Sequence, residues 1–185
     1  MNFNLMVKDI NIETYILTGK IYDQKTINNL IEFIKNNEDK KLSHKTSVTG
    51  KFTGFDSLVN NKDFHNFLSL IKEEIKVINR ENNFYIKDAW GNLCRINEEV
   101  KEHDHRGTNG FCGILYLTEG GPGTYFREYN TLISEEIGKF VLFNPLLQHS
   151  VKKIENNLER ISIAFNMQNV KSWEDIENQT NKLFL

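Results

Sequence analysis

The sequence predicts a mainly β protein with flanking helices, built as a β-sandwich or β-barrel that carries helices from its N-terminal part. Two observations lead to this fold class. Before residue 80, two segments repeat apolar residues at the spacing of an α-helix. After Asn83 the period changes to two, and aromatic and β-branched residues alternate with polar ones between turn signals, as in antiparallel strands. Helices of this kind usually cover one side of a sheet.

The N-terminal part is predicted to contain one strand, two helices and an irregular connection. Residues 10–21 have strand-like content, and residues 24–36 carry an apolar stripe at helical spacing. Residues 62–79 carry a second such stripe and predict the second helix. Between them, the Gly- and Thr-rich residues 47–57 have no helical period, which predicts a loop or a short strand.

Five predicted strands follow, and the turn residues between them set their limits. Glu119-Gly120-Gly121-Pro122-Gly123 is a strong turn signal between two of them, and Gly138 and Asn144-Pro145 bracket another. Residues 172–185 begin with a Ser-x-x-Asp pattern that resembles a capping box, which predicts a final helix. The predicted strands are 84–97, 111–118, 124–128, 138–143 and 159–166.

Length and composition predict one domain without a basic surface. The 185 residues show no repeat or linker, so 1–185 is expected to be a single domain with a scaffold (1–83), a β core that holds the functional site (84–170) and a terminal helix (171–185). A net charge of −2 gives no indication of a nucleic-acid partner. No apolar run approaches the ~20 residues that span a bilayer, and no signal-peptide pattern opens the chain.

The cysteines indicate a reducing compartment. Cys94 and Cys112 are the only two in the chain, and they form neither a disulfide framework nor a Cys-x-x-Cys motif. Buried free thiols in the cytoplasm are therefore expected.

Three of the five histidines have the spacing of a metal site. His103 and His105 would point to the same face of a β-strand, and His149 follows about one hairpin and one strand later. Neutral imidazole binds iron, copper and zinc, and three such ligands leave the open coordination positions that catalysis needs. Taken singly, each would more simply be a surface or hydrogen-bonded histidine. His44 and His65 have no such context and are expected to be structural.

The strand at 159–166 places Arg160 and Ser162 on one face and Ile161 and Ile163 on the other. On an interior strand, Arg160 would be buried, which is costly without an anionic partner. A carboxylate group of a small dicarboxylate ligand would accept two hydrogen bonds from the guanidinium. An edge strand with Arg160 in water, or an Asp or Glu of the chain beside it, would serve equally well, and the sequence leaves these alternatives open.

Together these motifs resemble those of the 2-oxoglutarate- and Fe(II)-dependent oxygenases of the double-stranded β-helix (jelly-roll) fold, over roughly residues 90–166. The family pattern is His-x-Asp/Glu, a distal His, and Arg-x-Ser about ten residues later. Within the family, the chain looks similar to small bacterial and phage members that are distantly prolyl-4-hydroxylase-like. The matching pieces are His103-x-His105, His149, Arg160-x-Ser162, Trp90-Gly91-Asn92, Cys112-Gly113-Ile114-Leu115-Tyr116-Leu117 and Phe143-Asn144-Pro145.

The resemblance implies an enzyme that couples oxidation of a substrate by O2 to the decarboxylation of 2-oxoglutarate to succinate. It implies no catalytic residue beyond the metal ligands, and it implies that Arg160 binds the distal carboxylate of 2-oxoglutarate. The implied Fe(II) ligands are His103, His105 and His149, and the implied co-substrate contacts are Arg160, Ser162, Tyr116 and Asn92.

The second metal ligand departs from the family pattern. Most members have an acidic residue where this chain has His105, so a three-histidine site would be one charge more positive. Asp104 is adjacent but points to the opposite face of a regular strand, and a β-bulge would exchange the two. We therefore expect three histidine ligands, with Asp104 in place of His105 as the alternative.

Two other functions compete with this one. Cupin-type dioxygenases also resemble the chain through a three-histidine iron site that needs no 2-oxoglutarate, although their following Glu is missing from residues 106–110. A non-catalytic β-sandwich binding or structural module would explain the strands but not the histidine spacing. The primary substrate is expected to be a protein side chain or a small metabolite, and the choice between monomer and homodimer stays open.

Overall fold

The computed structural model describes residues 4–9, 14–38, 47–78 and 83–170. The predicted helix at 172–185 and the predicted structural role of His44 lie outside the described residues. The strands are β1 (Asn4–Asp9), β2 (Thr14–Lys20), β3 (Lys51–Phe52), β4 (Phe84–Cys94), β5 (Val100–His103), β6 (Phe111–Tyr116), β7 (Thr124–Phe126), β8 (Thr131–Ile133), β9 (Lys139–Phe143), β10 (His149–Val151) and β11 (Arg160–Asn169). The helices are α1 (Gln24–Asn36), α2 (Lys62–Leu70) and α3 (Lys72–Ile78).

The strands form two antiparallel sheets. Seven strands make the larger sheet, in the order β1-β2-β9-β6-β11-β4-β3, and four make the smaller, in the order β5-β10-β7-β8. Apolar side chains of the two sheets pack together between them, among them Ile114 of β6, Phe126 of β7 and Phe143 of β9. The predicted fold class, a jelly-roll-like β core with N-terminal helices, is confirmed.

The helices cover the outer face of the larger sheet. Leu30 and Ile34 of α1 and Phe64 and Phe67 of α2 are fully buried against it. Asp23 caps α1, because its carboxylate accepts hydrogen bonds from the backbone N–H groups of the first turn. Among the described residues, the helices are all too short or too polar to cross a membrane.

Strand β11 is an interior strand of the larger sheet, between β6 and β4, and its side chains alternate between the two faces of the sheet. Ile161, Ile163 and Phe165 pack in the helix-side core, as their alternation in the sequence predicted. Arg160 and Ser162 point to the other side and line a cavity between the sheets. The strand that anchors the apolar core therefore also carries the polar residues of the interior.

The predicted element boundaries are partly wrong. The helix expected at 62–79 breaks at Ile71, where the chain leaves helical geometry before α3 starts. The region 47–57 contains β3, within the short-strand alternative. Four strands were not predicted, namely β1, β5, β8 and β10, and three of these have only three or four residues.

Gly113 is required by the packing of β6 against β11. An added Cβ would lie 2.0 Å from Cζ of Phe165, whose ring is fully enclosed in the core. We expect Gly113→Ala to lower the free energy of unfolding by about 1–3 kcal/mol, because a well-packed core accommodates an extra methyl group only under strain. Chemical denaturation measures this. Gly107→Ala is the matched control, since a Cβ there meets nothing closer than 4.0 Å, and an equal loss in both variants would contradict the packing argument.

Candidate active site

The three histidines singled out by the sequence converge at one end of the smaller sheet. His103 ends β5 and His149 begins β10, and the two are directly paired in the antiparallel register. His105 lies past the end of β5, so the expectation of two histidines on one strand is wrong for His105. Its backbone N–H donates to the carbonyl of Pro145 at 2.8 Å, which holds the loop against the segment before β10. One nitrogen of each ring lies within 4.8 Å of the other two.

Backbone carbonyls orient two of the rings. Nδ1 of His103 lies 2.8 Å from the carbonyl oxygen of Lys101, and Nδ1 of His149 lies 3.1 Å from that of Leu147. If Nδ1 carries the proton in each case, Nε2 keeps its lone pair. Such a hydrogen bond fixes both the tautomer and the direction of an imidazole that binds a metal.

The environment keeps the imidazoles neutral. Burial lowers the pKa of all three imidazoles. The pKa of His105 falls to about 4, and that of His149 falls well below its ordinary range. For these two residues, the neighbouring imidazoles lower the pKa further. Near neutral pH all three therefore present lone pairs, the state that a metal ion requires. Three convergent neutral nitrogen donors fit a divalent transition metal such as Fe(II) and leave further positions open.

Asp104 points away from this cluster. Its carboxylate accepts hydrogen bonds from Nε of Arg106, at 3.0 and 3.1 Å, and from Nε2 of Gln148, at 2.7 Å. Hydrogen bonding by Arg106 lowers the pKa of Asp104 to about 2. Asp104 therefore connects the His105 loop to the residue that precedes His149, and it lies outside the group of convergent ligand atoms.

A cavity of about 50 Å³ extends from the histidines towards Arg160 and Ser162. This corresponds to roughly three to five water molecules, which is room for a small ligand. The wall is mixed, with polar groups from Asn92 and Thr124 and apolar ones from Ile114.

Arg160 is buried and paired with an acidic residue of the chain itself. Its Nε donates to the carboxylate of Glu135, and its Nη1 donates to Oγ of Ser162 at 2.8 Å. The side chains of Arg160 and Glu135 are only 3% and 1% exposed. Of the alternatives that the sequence left open, the structure shows an interior arginine with a protein partner, so its burial alone does not demand a ligand carboxylate.

Glu135 was not identified from the sequence. It lies in the connection from β8 to β9, next to the partly exposed Glu136, and no spacing or motif distinguishes the two. The only signal was indirect, since a buried Arg160 required some anion.

Tyr116 and Asn92 both lie near the cavity, in different ways. Asn92 lines it, and its Oδ1 accepts a hydrogen bond from Nε1 of Trp90 at 3.1 Å. Tyr116 is fully buried and lies behind Thr124, to whose Oγ1 its hydroxyl donates at 2.7 Å. Burial raises the pKa of Tyr116 to about 12, so its hydroxyl keeps its proton. The Arg160 guanidinium carbon lies 5.7 Å from the centre of the tyrosine ring.

A second cavity of about 280 Å³ adjoins the first on the other side of the histidines. His103 and His105 line both, so any ion that they hold would face both spaces. Phe52, Phe55 and Trp90 form an aromatic wall of the second cavity, with ring centres 4.9 to 6.0 Å apart. Phe55 is 40% exposed, which places it at the opening.

Comparison with solved structures identifies the class of fold. The viral collagen prolyl hydroxylase of Paramecium bursaria Chlorella virus-1, solved with 2-oxoglutarate, has a TM-score of 0.62 at 15% identity, over 83% of this chain and 96% of its own. A Pseudomonas putida prolyl-4-hydroxylase has a TM-score of 0.60 at 13% identity, over 91% and 92%. HygX from Streptomyces hygroscopicus, with nickel, 2-oxoglutarate and hygromycin B bound, has a TM-score of 0.64 at 11% identity, over 84% and 83%.

These likenesses establish that the chain has the double-stranded β-helix fold of 2-oxoglutarate- and Fe(II)-dependent oxygenases. The sequence itself matches no protein-family model and no curated protein. The fold prediction is thus confirmed by shape rather than by sequence.

The histidine cluster leads to a prediction that separates the two alternative ligand sets. His105→Ala and His149→Ala should each weaken Fe(II) binding by at least about 100-fold, because each removes one of three ligands, whereas Asp104→Ala should change it by at most about tenfold. Anaerobic calorimetric titration measures the affinities. His65→Ala, on α2 and away from the cluster, is the control. Loss of binding in Asp104→Ala with retention in His105→Ala would contradict the three-histidine site.

The buried ion pair leads to a prediction about stability. Arg160→Ala leaves Glu135 buried without its cation and should lower the free energy of unfolding by about 3–5 kcal/mol. Arg127→Ala removes one partner of an exposed ion pair with Glu102 and should cost only about 0.2–1 kcal/mol. Urea denaturation of the two variants gives the comparison, and similar losses would contradict the burial argument.

Proposed function

We propose that the protein is an Fe(II)- and 2-oxoglutarate-dependent dioxygenase, with His103, His105 and His149 as the metal ligands. One observation carries the proposal: three neutral imidazoles converge at one end of a cavity that reaches a buried arginine, within the fold of these oxygenases. Fe(II) bound there would supply the activation of O2 that converts 2-oxoglutarate to succinate and CO2 while one oxygen atom enters a C–H bond of the substrate.

The cavity residues bind and orient the co-substrate in this proposal. Nη2 of Arg160 has no hydrogen-bond partner among the described residues and is available to the distal carboxylate. The hydroxyls of Ser162 and Thr124 line the same space and offer further contacts. Asn92 also lines this cavity, and Tyr116 acts through Thr124 by fixing its hydroxyl.

The walls restrict access of water to the site. Ile114 and Phe143 line the first cavity, the one between the histidines and Arg160 (called the inner cavity below), and both side chains are almost completely buried. Exclusion of water strengthens the electrostatic contacts to a bound dicarboxylate and prevents side reactions.

The second cavity is the proposed site of the primary substrate. It opens to solvent at Phe55 and meets the inner cavity at His103 and His105, so a substrate there would lie beside the metal. Its aromatic wall suits an apolar body. The similar structures include a collagen prolyl hydroxylase and a protein solved with the small molecule hygromycin B, and we keep both classes, a protein side chain and a small metabolite.

Cys94 and Cys112 support a cytoplasmic location, since both are buried and neither takes part in a disulfide. We therefore propose that the protein works in a reducing compartment.

A cupin-type dioxygenase that needs no 2-oxoglutarate is the second candidate. Among the described residues, the histidine group contains no carboxylate, and Arg160 already has Glu135 as its partner. Both observations favour this function. Neither accounts for the unbonded Nη2 of Arg160 beside the cavity, which is why we place this function second.

Anaerobic titration of the metal-free protein with Fe(II) and then with 2-oxoglutarate tests the proposal. We expect a visible metal-to-ligand charge-transfer band when 2-oxoglutarate is added, because chelation of Fe(II) by its keto acid group produces one. His149→Ala should give no band. Fe(II) binding without the band in the wild type would favour the cupin-type function, and failure to bind Fe(II) would contradict both.

A further inference from the structure

We propose that Glu135 is an internal counter-ion of Arg160 that weakens co-substrate binding while it stabilises the empty protein. The inference rests on the proposed function, in which Arg160 binds the distal carboxylate of 2-oxoglutarate. It concerns a residue that does not touch the ligand and acts through Arg160.

The geometry divides the guanidinium between two partners. Glu135 accepts from Nε, and it is not among the residues that line the cavity. Nη1 donates to Ser162, and Nη2 has no hydrogen bond to any described residue. Nη2 and the second N–H of Nη1 therefore remain for a ligand, while Nε is already occupied.

The carboxylate of Glu135 has no room to move aside. Its side chain is 1% exposed, and a Cβ at Gly121 would lie only 2.1 Å from its Oε2. The backbone of the turn at 119–123 thus closes directly over the carboxylate. Oε2 has no hydrogen-bond partner in the described part of the chain, so Glu135 is fixed by packing and by its contact with Arg160.

The carboxylate of Glu135 and the carboxylate of a ligand would then compete for the Arg160 guanidinium. In the empty protein, Glu135 balances the buried charge of Arg160, which would otherwise be costly. When a ligand carboxylate arrives, it meets a guanidinium that already has an anionic partner, and it is repelled by that partner across a distance of a few ångströms in a poorly screened interior. Glu135 should therefore stabilise the empty protein and lower its affinity for a dicarboxylate.

Glu135→Gln separates this role from a merely structural one. Glutamine keeps the shape and retains an oxygen that can accept from Nε, but it removes the negative charge. We expect 2-oxoglutarate to bind on the order of tenfold more tightly to the Fe(II)-loaded variant, while the melting temperature of the ligand-free protein falls. A purely structural or orienting role predicts that affinity and stability fall together.

The matched control is Glu136→Gln, the same charge change at the adjacent residue. Glu136 pairs with Lys20 and Lys139 at the surface and has no contact with Arg160. The affinity of the Glu136→Gln variant for 2-oxoglutarate should stay within twofold of that of the wild type. Affinities come from the charge-transfer band and, independently, from calorimetry, and stabilities come from thermal unfolding without ligand.

The outcomes separate the inference from the proposed function. If the wild type binds 2-oxoglutarate and Glu135→Gln binds it no more tightly, or is not less stable, the inference is overturned and the proposed function stands. If the wild type does not bind 2-oxoglutarate, the proposed function fails and the inference with it.

A second measurement on the wild type applies if Glu135→Gln does not fold. 2-Oxopentanoate has the keto acid group of 2-oxoglutarate but no distal carboxylate. If Glu135 weakens the attraction of the Arg160 guanidinium for the distal carboxylate, the protein should bind 2-oxoglutarate less than about thirtyfold more tightly than 2-oxopentanoate. A buried charge pair without such a competing anion gives larger affinity ratios. A ratio above that value would overturn the inference.

Discussion

The pairing of β5 with β10 is the constraint on which the candidate site depends. It places His103 directly opposite His149 in the smaller sheet, although the two are far apart in the sequence. The third imidazole belongs to the loop that leaves β5, and the hydrogen bond of His105 to Pro145 holds that loop against the chain as it enters β10. Both β5 and β10 are short, so the rest of the fold must hold them in register.

The larger sheet positions the other end of the cavity through β11. Its central position between β4 and β6 fixes Ile163 and Phe165 in the helix-side core and directs Arg160 and Ser162 to the interior between the sheets. The same strand therefore carries both the apolar core residues and the arginine that faces the histidine-lined cavity. The polar groups at the two ends of the cavity differ in kind. The three histidines are neutral, with His149 buried and the other two partly buried, whereas Arg160 is buried as a charge balanced by Glu135.

The sequence predicted those features that follow from local periodicity. Helix α1 was predicted at its observed bounds from its apolar stripe alone, and the alternation along β11 predicted the face on which Arg160 lies. The three histidines were identified because their residue type is rare in the chain and their spacing matches a known pattern. The fold itself is confirmed by structures of at most 15% identity among those compared above.

The features that were missed depend on contacts between distant residues. Strands β8 and β10 have three residues each, too few to show a period, and their pairing defines them. The position of His105 beyond β5 follows from its contact with Pro145, and the partnership of Glu135 with Arg160 joins residues 25 positions apart. Asp104 could not be excluded as a ligand from the sequence, because its hydrogen bonds to Arg106 and Gln148 form only in the folded chain.

Iron K-edge X-ray absorption of the anaerobic Fe(II) protein, recorded before and after addition of 2-oxoglutarate, tests the central claim most directly. Three imidazole ligands should give the multiple-scattering pattern of three rings in both states, and 2-oxoglutarate should replace solvent ligands without displacing a ring. A shell with one or two imidazoles in the ligand-free state, or the loss of a ring when 2-oxoglutarate binds, would contradict a site built from His103, His105 and His149.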